Sequence, residues 1–320
     1  MAGSAKRLFI QEVGPRDGFQ IEARFIPTAE KITLIDALSL CGLAKIEVTS
    51  FTSPKAIPAL ADADEVMRGL RRQPGVVYTA LVPNLRGAER AIAAGTDELN
   101  LVMSASETHN LLNLRMTREQ SVARLLEVVA LAKPAGVALN VSLSTSFGCP
   151  MEGEVPEAVV LGFAERFLAS GVAGITLCDT TGMAHPAQVA ALCRTFLARF
   201  PEAILTLHLH NTRGMGLANA LAAVEAGVDR FDASLGGLGG CPYAPGATGN
   251  VCTEDLVHML QAQGYSVGVD LARLLAAARS LPALLGHDVP GQVLHAGPSQ
   301  ELHPVPASLA EIRSRALAQP

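Results

Sequence analysis

Eight times along the 320 residues, a short apolar run ending in turn chemistry is followed by a longer helical pattern. The runs cover residues 8–13, 45–49, 76–82, 98–103, 137–143, 175–178, 204–210 and 230–234. Each is short enough for a strand buried on both faces, and each stops at Gly, Pro, Asn, Asp or Ser. Helical stripes follow: Ile32, Ile35 and Leu38 after Thr28, then Val122, Leu125, Leu126 and Val129 behind a Thr117–Gln120 capping box. Asp62 with Glu65 reads as a second capping pair, Pro156 and Pro186 open further helices, and Leu217, Leu221 and Val224 form a stripe ending at Gly227. The units lie roughly 25 to 40 residues apart, with no break in composition between them. That rhythm predicts an α/β fold, a parallel (β/α)8 TIM barrel. A doubly wound open sheet is the runner-up, but Gly14-Pro15-Arg16-Asp17-Gly18 is not the GxGxxG loop it would want after its first strand. Helices opening at Thr253 and Asp270 complete one catalytic domain over residues 1–285. A weakly patterned, partly ordered tail is expected over 286–320.

Composition narrows the function classes. Nearly half the residues are hydrophobic and 17% are charged, enough apolar material for a large core. Net charge is −5 and no basic run occurs, which argues against a nucleic-acid partner. No stretch approaches the roughly 18 apolar residues of a membrane helix, so no membrane partner is expected. The first strand begins at Leu8, leaving no room for a signal peptide. The six cysteines show no CxxC spacing and read as free thiols in a reducing cytoplasm.

In a parallel barrel, the carboxyl ends of all strands meet at one rim. The seventh run carries His208 and His210, which point to the same face about 7 Å apart along the strand. The first run delivers Arg16 and Asp17 to the same rim, the second Glu47, Thr49 and Ser50, and the sixth Asp179 and Thr180. After the eighth run comes a stretch with six glycines and two prolines in fifteen residues, 236–250, which reads as a mobile lid and supplies Cys241 and Asn250. Asp17, His208, His210 and Asn250 together make a mixed oxygen–imidazole set suited to six-coordinate Mg2+ or Mn2+ with two positions left for substrate. Arg16 suits oxyanion stabilisation or a salt bridge. Glu47, inside a strand, is either paired with such an arginine or functional. Asp179 is a site residue or the cap of the next helix. Cys241, on a lid over a cationic site, is either a packing thiol or a proton donor.

These residues carry a resemblance. EVGPRDG with Gln20, Glu47-Val-Thr-Ser-Phe with Ser53-Pro54-Lys55, Ala105-Ser-Glu107 with Asn113, Gly148-Cys149-Pro150, Asp179-Thr180, His208-Leu-His210 and SLGGLGGCPYAPGATGN-VCTEDL resemble the 3-hydroxy-3-methylglutaryl-CoA lyases, a group of metal-dependent lyase barrels. The match runs from Glu12 to about Leu260. The resemblance implies retro-Claisen cleavage of a 3-hydroxyacyl-CoA, with an acyl-CoA as the small-molecule partner and a homodimer as the assembly. It implies that Asp17, His208, His210 and Asn250 bind the divalent cation, that Arg16 stabilises the enolate, and that Cys241 is the acid. Glu47 and Asp179 carry over as catalytic-site residues. Asp179 or His208 is the candidate base. Gln20, Ser50, Asn113 and Thr180 are substrate-binding candidates.

The chain departs from the group where its members read close to RGYVSC before GCP. Here Asn140 and Ser142 replace the Arg and Tyr. It departs again where they read HCHDTYGQ, with Asn211 and Arg213 in place of Asp and Tyr. Both changes fall near the rim and are expected to reshape the acyl pocket, which makes citramalyl-CoA an alternative substrate. A Claisen-type condensing enzyme is a further alternative, but such enzymes carry a longer carboxyl-terminal region. Metal hydrolase barrels usually carry their HxH on the first strand, not the seventh.

Overall fold

The computed structural model describes residues 6–240 and 249–318. Eight strands form its centre: β1 (Phe9–Glu12), β2 (Lys45–Ser50), β3 (Val77–Val82), β4 (Glu98–Ser104), β5 (Ala138–Ser144), β6 (Gly174–Asp179), β7 (Ile204–Leu209) and β8 (Arg230–Ala233). All pairs are parallel and follow sequence order, and β8 returns to β1 through Phe9↔Arg230 to Glu12↔Ala233. The sheet is therefore a closed barrel with no free edge. Around it lie α1 (Thr28–Ser39), α2 (Ala63–Gly69), α3 (Leu85–Ala93), α4 (Glu107–Leu114), α5 (Arg118–Ala132), α6 (Glu157–Ala169), α7 (Pro186–Arg199) and α8 (Gly216–Ala226). α9 (Thr253–Ala262), α10 (Leu271–Ala278) and α11 (Leu281–Leu285) follow the barrel.

Period-two alternation divides each strand between two environments. Ile46 and Val48, Leu99 and Leu101, Val141, Ile175, Leu177, Leu205 and Leu207 are buried in the apolar core that includes the helices' buried faces. The alternate residues meet inside the barrel, and there they are polar. Asn140 donates to Asn100 and Thr176, Asn100 donates to Glu47, Gln11 donates to Thr206, and Lys45 pairs with Glu98. Many barrels fill this space with branched apolar side chains. Here the polar groups satisfy one another, which is what makes their burial tolerable.

Local chemistry explains most element boundaries. Thr117 accepts from Gln120 N, and Gln120 returns a carbonyl to Thr117 N, so the capping box forms as expected. Asn84, Ser106 and Asp270 cap α3, α4 and α10. Asp62 does not cap α2. Its carboxylate is taken by Lys31 Nζ at 2.7 Å and Thr28 Oγ1 at 2.8 Å, because a buried ammonium competes better than a helix-start N–H. The buried stripe of α8 is Gly216, Asn219, Ala220, Ala223 and Val224, with Leu217 and Leu221 only half-buried. β7 ends at Leu209, one residue before His210. The chain there turns to pair with the return of the glycine stretch through a His210–Asn250 bridge. Past residue 285, α12 (Gln292–Ala296) and α13 (Leu309–Leu317) lie in a segment exposed throughout residues 301–318. Among the described residues no helix is long and apolar enough to cross a membrane.

Candidate active site

A π-helical turn, Gly14–Gly18, follows β1 and turns Arg16 and Asp17 inward over the rim, both buried. Arg16 is clamped between two carboxylates. Its Nε donates to Glu47 Oε2 at 2.6 Å and its Nη1 to Asp17 Oδ1 at 2.5 Å. These partners outweigh burial and hold the guanidinium charged. Glu47 is pushed above the usual carboxylate range by burial, against the pull of Arg16 and Asn100.

Asp17 joins Arg16 to the histidines. Its Oδ1 also accepts from Gln20 Nε2 at 2.9 Å and its Oδ2 from Asn250 Nδ2 at 2.7 Å. Burial opposes its ionisation, but Arg16, His208 and His210 outweigh that and bring its pKa down to about 2. His208 Nε2 lies 3.2 Å from His210 Nε2, and His208 Nδ1 lies 3.3 Å from Asp232 Oδ2 on β8. Burial lowers the pKa of His208, yet the Asp232 and Asp17 carboxylates raise it on balance. Burial and then the neighbouring His208 push His210 down to about 4, so it is a neutral imidazole.

Asp17, His208 and His210 each offer a ligand atom within 4.8 Å of the others. His210 Nδ1 and Asn250 Oδ1 are buried, and neither has a hydrogen-bond partner among the described residues. Buried polar atoms left in this way are costly unless something else satisfies them. One carboxylate, one amide oxygen and two imidazoles fit a divalent cation, and the ionised Asp17 beside the imidazoles supplies the negative charge to attract it.

The cluster forms the floor of a cavity of about 430 Å³. Of the residues expected at the site, Arg16, Asp17, Gln20, Asn113, Thr180, His208 and His210 line it. Asn250 is buried behind Asp17 and Glu47 behind Arg16. Ser50 and Asp179 do not line it. Ser50 shares its hydroxyl with Thr52 Oγ1 at 2.8 Å. Asp179 spends both oxygens on Met183 N and Ala184 N, tying down the loop after β6 rather than capping α7, whose cap is His185. Burial raises its pKa to about 6 despite those donors. Of the four departures, only Ser142 reaches the cavity wall. Asn140 lies beneath it, Asn211 accepts from Gly216 N, and the exposed Arg213 donates to Thr181 O and Gly182 O. Cys241 lies outside the described residues. The described residues on either side of 241–248 are at the site: Gly240 lines the cavity, and a Cβ at Gly249 would stand 1.8 Å from Gly239 O. Only glycine permits that approach.

Asp232, Asn100, His109 and Cys178 also line the cavity and were not expected there. Asp232 stands on β8 in register with His208, a placement that no local sequence pattern announces.

Residues 7–281 match the family model described as HMGL-like. The chain is 46% identical over 289 residues to the hydroxymethylglutaryl-CoA lyase of Bacillus subtilis, covering 90% of this chain and 97% of that protein. It is 42% identical over 299 residues to the (R)-citramalyl-CoA lyase of Chloroflexus aurantiacus, covering 90% and 94%. Among solved structures, the HMG-CoA lyase of A. baumannii in complex with coenzyme A and 3-methylmalate superposes with a TM-score of 0.92 at 52% identity, covering 96% of this chain and all of that one.

Proposed function

The chain belongs to the HMGL-like family, and from that premise we propose that it cleaves 3-hydroxy-3-methylglutaryl-CoA to acetyl-CoA and acetoacetate. It is a carbon–carbon lyase acting on an acyl-CoA. The observation that carries this reading is the buried cluster of Asp17, His208 and His210 on the floor of a cavity, with Asn250 bonded to Asp17 behind it.

Those four residues would hold Mg2+ or Mn2+, which when bound acidifies the substrate's 3-hydroxyl and orients the acyl chain by chelation. The protein's own groups supply the rest. A guanidinium has five N–H donors, and the contacts to Glu47 and Asp17 leave Arg16 with donors for the oxygen of the acetyl-CoA enolate. That oxygen gains charge as the bond breaks, so a donor already fixed in place stabilises the transition state more than the ground state. Asp232 holds His208 by Nδ1 and so presents Nε2 to the site. Asp179, with both oxygens taken by backbone N–H groups, serves the loop that carries Thr180. Cys241 protonates the enolate carbon, a role supported by its neighbour Gly240, which lines the cavity. The unpaired state of the five described cysteines supports a cytoplasmic setting, and the assembly we propose is a homodimer.

A second reading, cleavage of citramalyl-CoA to acetyl-CoA and pyruvate, is supported by Ser142, which stands in the cavity wall where the lyase pattern has Tyr, and by the likeness to the (R)-citramalyl-CoA lyase. One assay separates the two. Each thioester is offered to the purified protein with Mg2+, and acetyl-CoA is measured together with acetoacetate or pyruvate. Acetoacetate that disappears on chelation is expected. Pyruvate alone transfers the assignment to citramalyl-CoA. No cleavage of either by metal-loaded protein overturns both.

A further inference from the structure

Arg16 is the only Arg or Lys among the described residues lining the cavity, and what keeps it in place reaches across four strands. Glu47 grips it through Oε2. The other carboxylate oxygen, Oε1, accepts from Asn100 Nδ2 at 2.8 Å. A primary amide is nearly symmetrical in shape but not in chemistry, and this one is held one way round. Asn140 Nδ2 and Ser142 Oγ both donate to Asn100 Oδ1 at 2.9 Å, which leaves only the donor end to face Glu47. All of these side chains are buried, where a lost hydrogen bond costs more than at the surface.

We infer that Asn100 is a positioning residue for the cleavage: it holds Glu47 against Arg16, while Asn140 and Ser142 hold Asn100 in the orientation that makes this work. The reference to cleavage rests on the function proposed above; the positioning of Arg16 does not. Asn140 thus acts on the enolate-stabilising arginine from below and is not part of the acyl pocket. Without the Asn100 donor, Glu47 Oε1 is a buried acceptor with nothing to accept from, and the guanidinium loses one of its two fixed ends.

The experiment compares Asn100→Leu, Glu47→Gln, the double variant and the milder Ser142→Ala with the wild type, all as full-length protein. Asn100→Leu is expected to lower kcat about 30-fold or more with KM within about 3-fold, because many cavity groups share ground-state binding and few act only in the transition state. Mn2+ affinity stays within about 2-fold, since none of the four cation-site residues is touched. In the Glu47→Gln background the same change costs less than about 3-fold, as coupling through one carboxylate requires. Effects that multiply independently overturn the inference. A second readout needs no substrate. The Arg16 Nε–H, labelled with 15N and assigned by its loss in Arg16→Lys, exchanges with water at least about tenfold faster in Asn100→Leu. An unchanged rate overturns the positioning role even in a protein that cleaves neither thioester; a faster rate there sustains it and discards only the assigned reaction. Should Asn100→Leu fail to fold, Ser142→Ala decides by the same two readouts, with smaller shifts in the same direction expected and none overturning the idea.

Discussion

His208 illustrates how much a single side chain here owes to its neighbour. Its Nδ1 is held by Asp232, so the ring cannot turn its other nitrogen away from Asp17 and His210. Replacing Asp232 by Asn removes the charge and keeps the shape. We expect calorimetric titration to show Mn2+ binding weakened by about 10- to 100-fold, the usual cost of losing such a partner; an unchanged affinity would rule out the orienting role. Asp17, the two histidines and Asn250 were expected together from their places at or after strands one, seven and eight, and the structure brings Asp17 within reach of both histidines and bonds it to Asn250. Asp232 was not expected, because nothing along the chain says that residues 208 and 232 face each other. Ser50 and Asp179, expected at the site, do not line the cavity, for the converse reason. A polar side chain at a strand end serves its own loop's N–H groups as readily as a ligand, and only three-dimensional placement separates the two.

Among the elements, boundaries with reciprocal local chemistry were readable and those decided by distant partners were not. The α5 capping box is of the first kind, and Thr117→Ala is expected to lower stability by about 1 kcal/mol in a denaturant titration with no change in metal affinity. Asp62 is of the second kind, drawn from α2 to Lys31. So is the junction of β1, β8 and α9. There Glu12 accepts from Gly14 N, Leu235 N and Thr253 Oγ1, and burial nonetheless drives its pKa from 4.5 up to about 8. The folded chain therefore keeps a proton that the unfolded chain has lost across that window. By linkage the contribution is fully present below about pH 4.5 and is lost as pH rises through about 8. Denaturation midpoints should fall between those limits, and less steeply in Glu12→Gln, which has nothing to titrate there. Parallel slopes for the two proteins would contradict this.

For the molecule as a whole, the architecture was the most legible level. A parallel barrel is assembled from neighbouring strand–helix units, so its order follows the order of the chain. Its polar interior was less so, because Glu98, Asn100 and Asn140 sit singly in runs that otherwise read as apolar. A cation seated at the closure of the barrel binds the folded state and not the unfolded one. Mn2+ at about 100 times its dissociation constant should add about 2.7 kcal/mol of stability, and chelation should remove it, as read from thermal unfolding. A melting temperature indifferent to both would count against the site.

Asp17 and Asn250 bond to each other across 233 residues of chain. During synthesis Asp17 leaves the ribosome long before Asn250 exists, and the two stand together where the eighth strand closes on the first. A cation held by these residues would then bind only once the first and last strands have closed on each other, so its stabilisation would be felt by the closed barrel and not by its early parts.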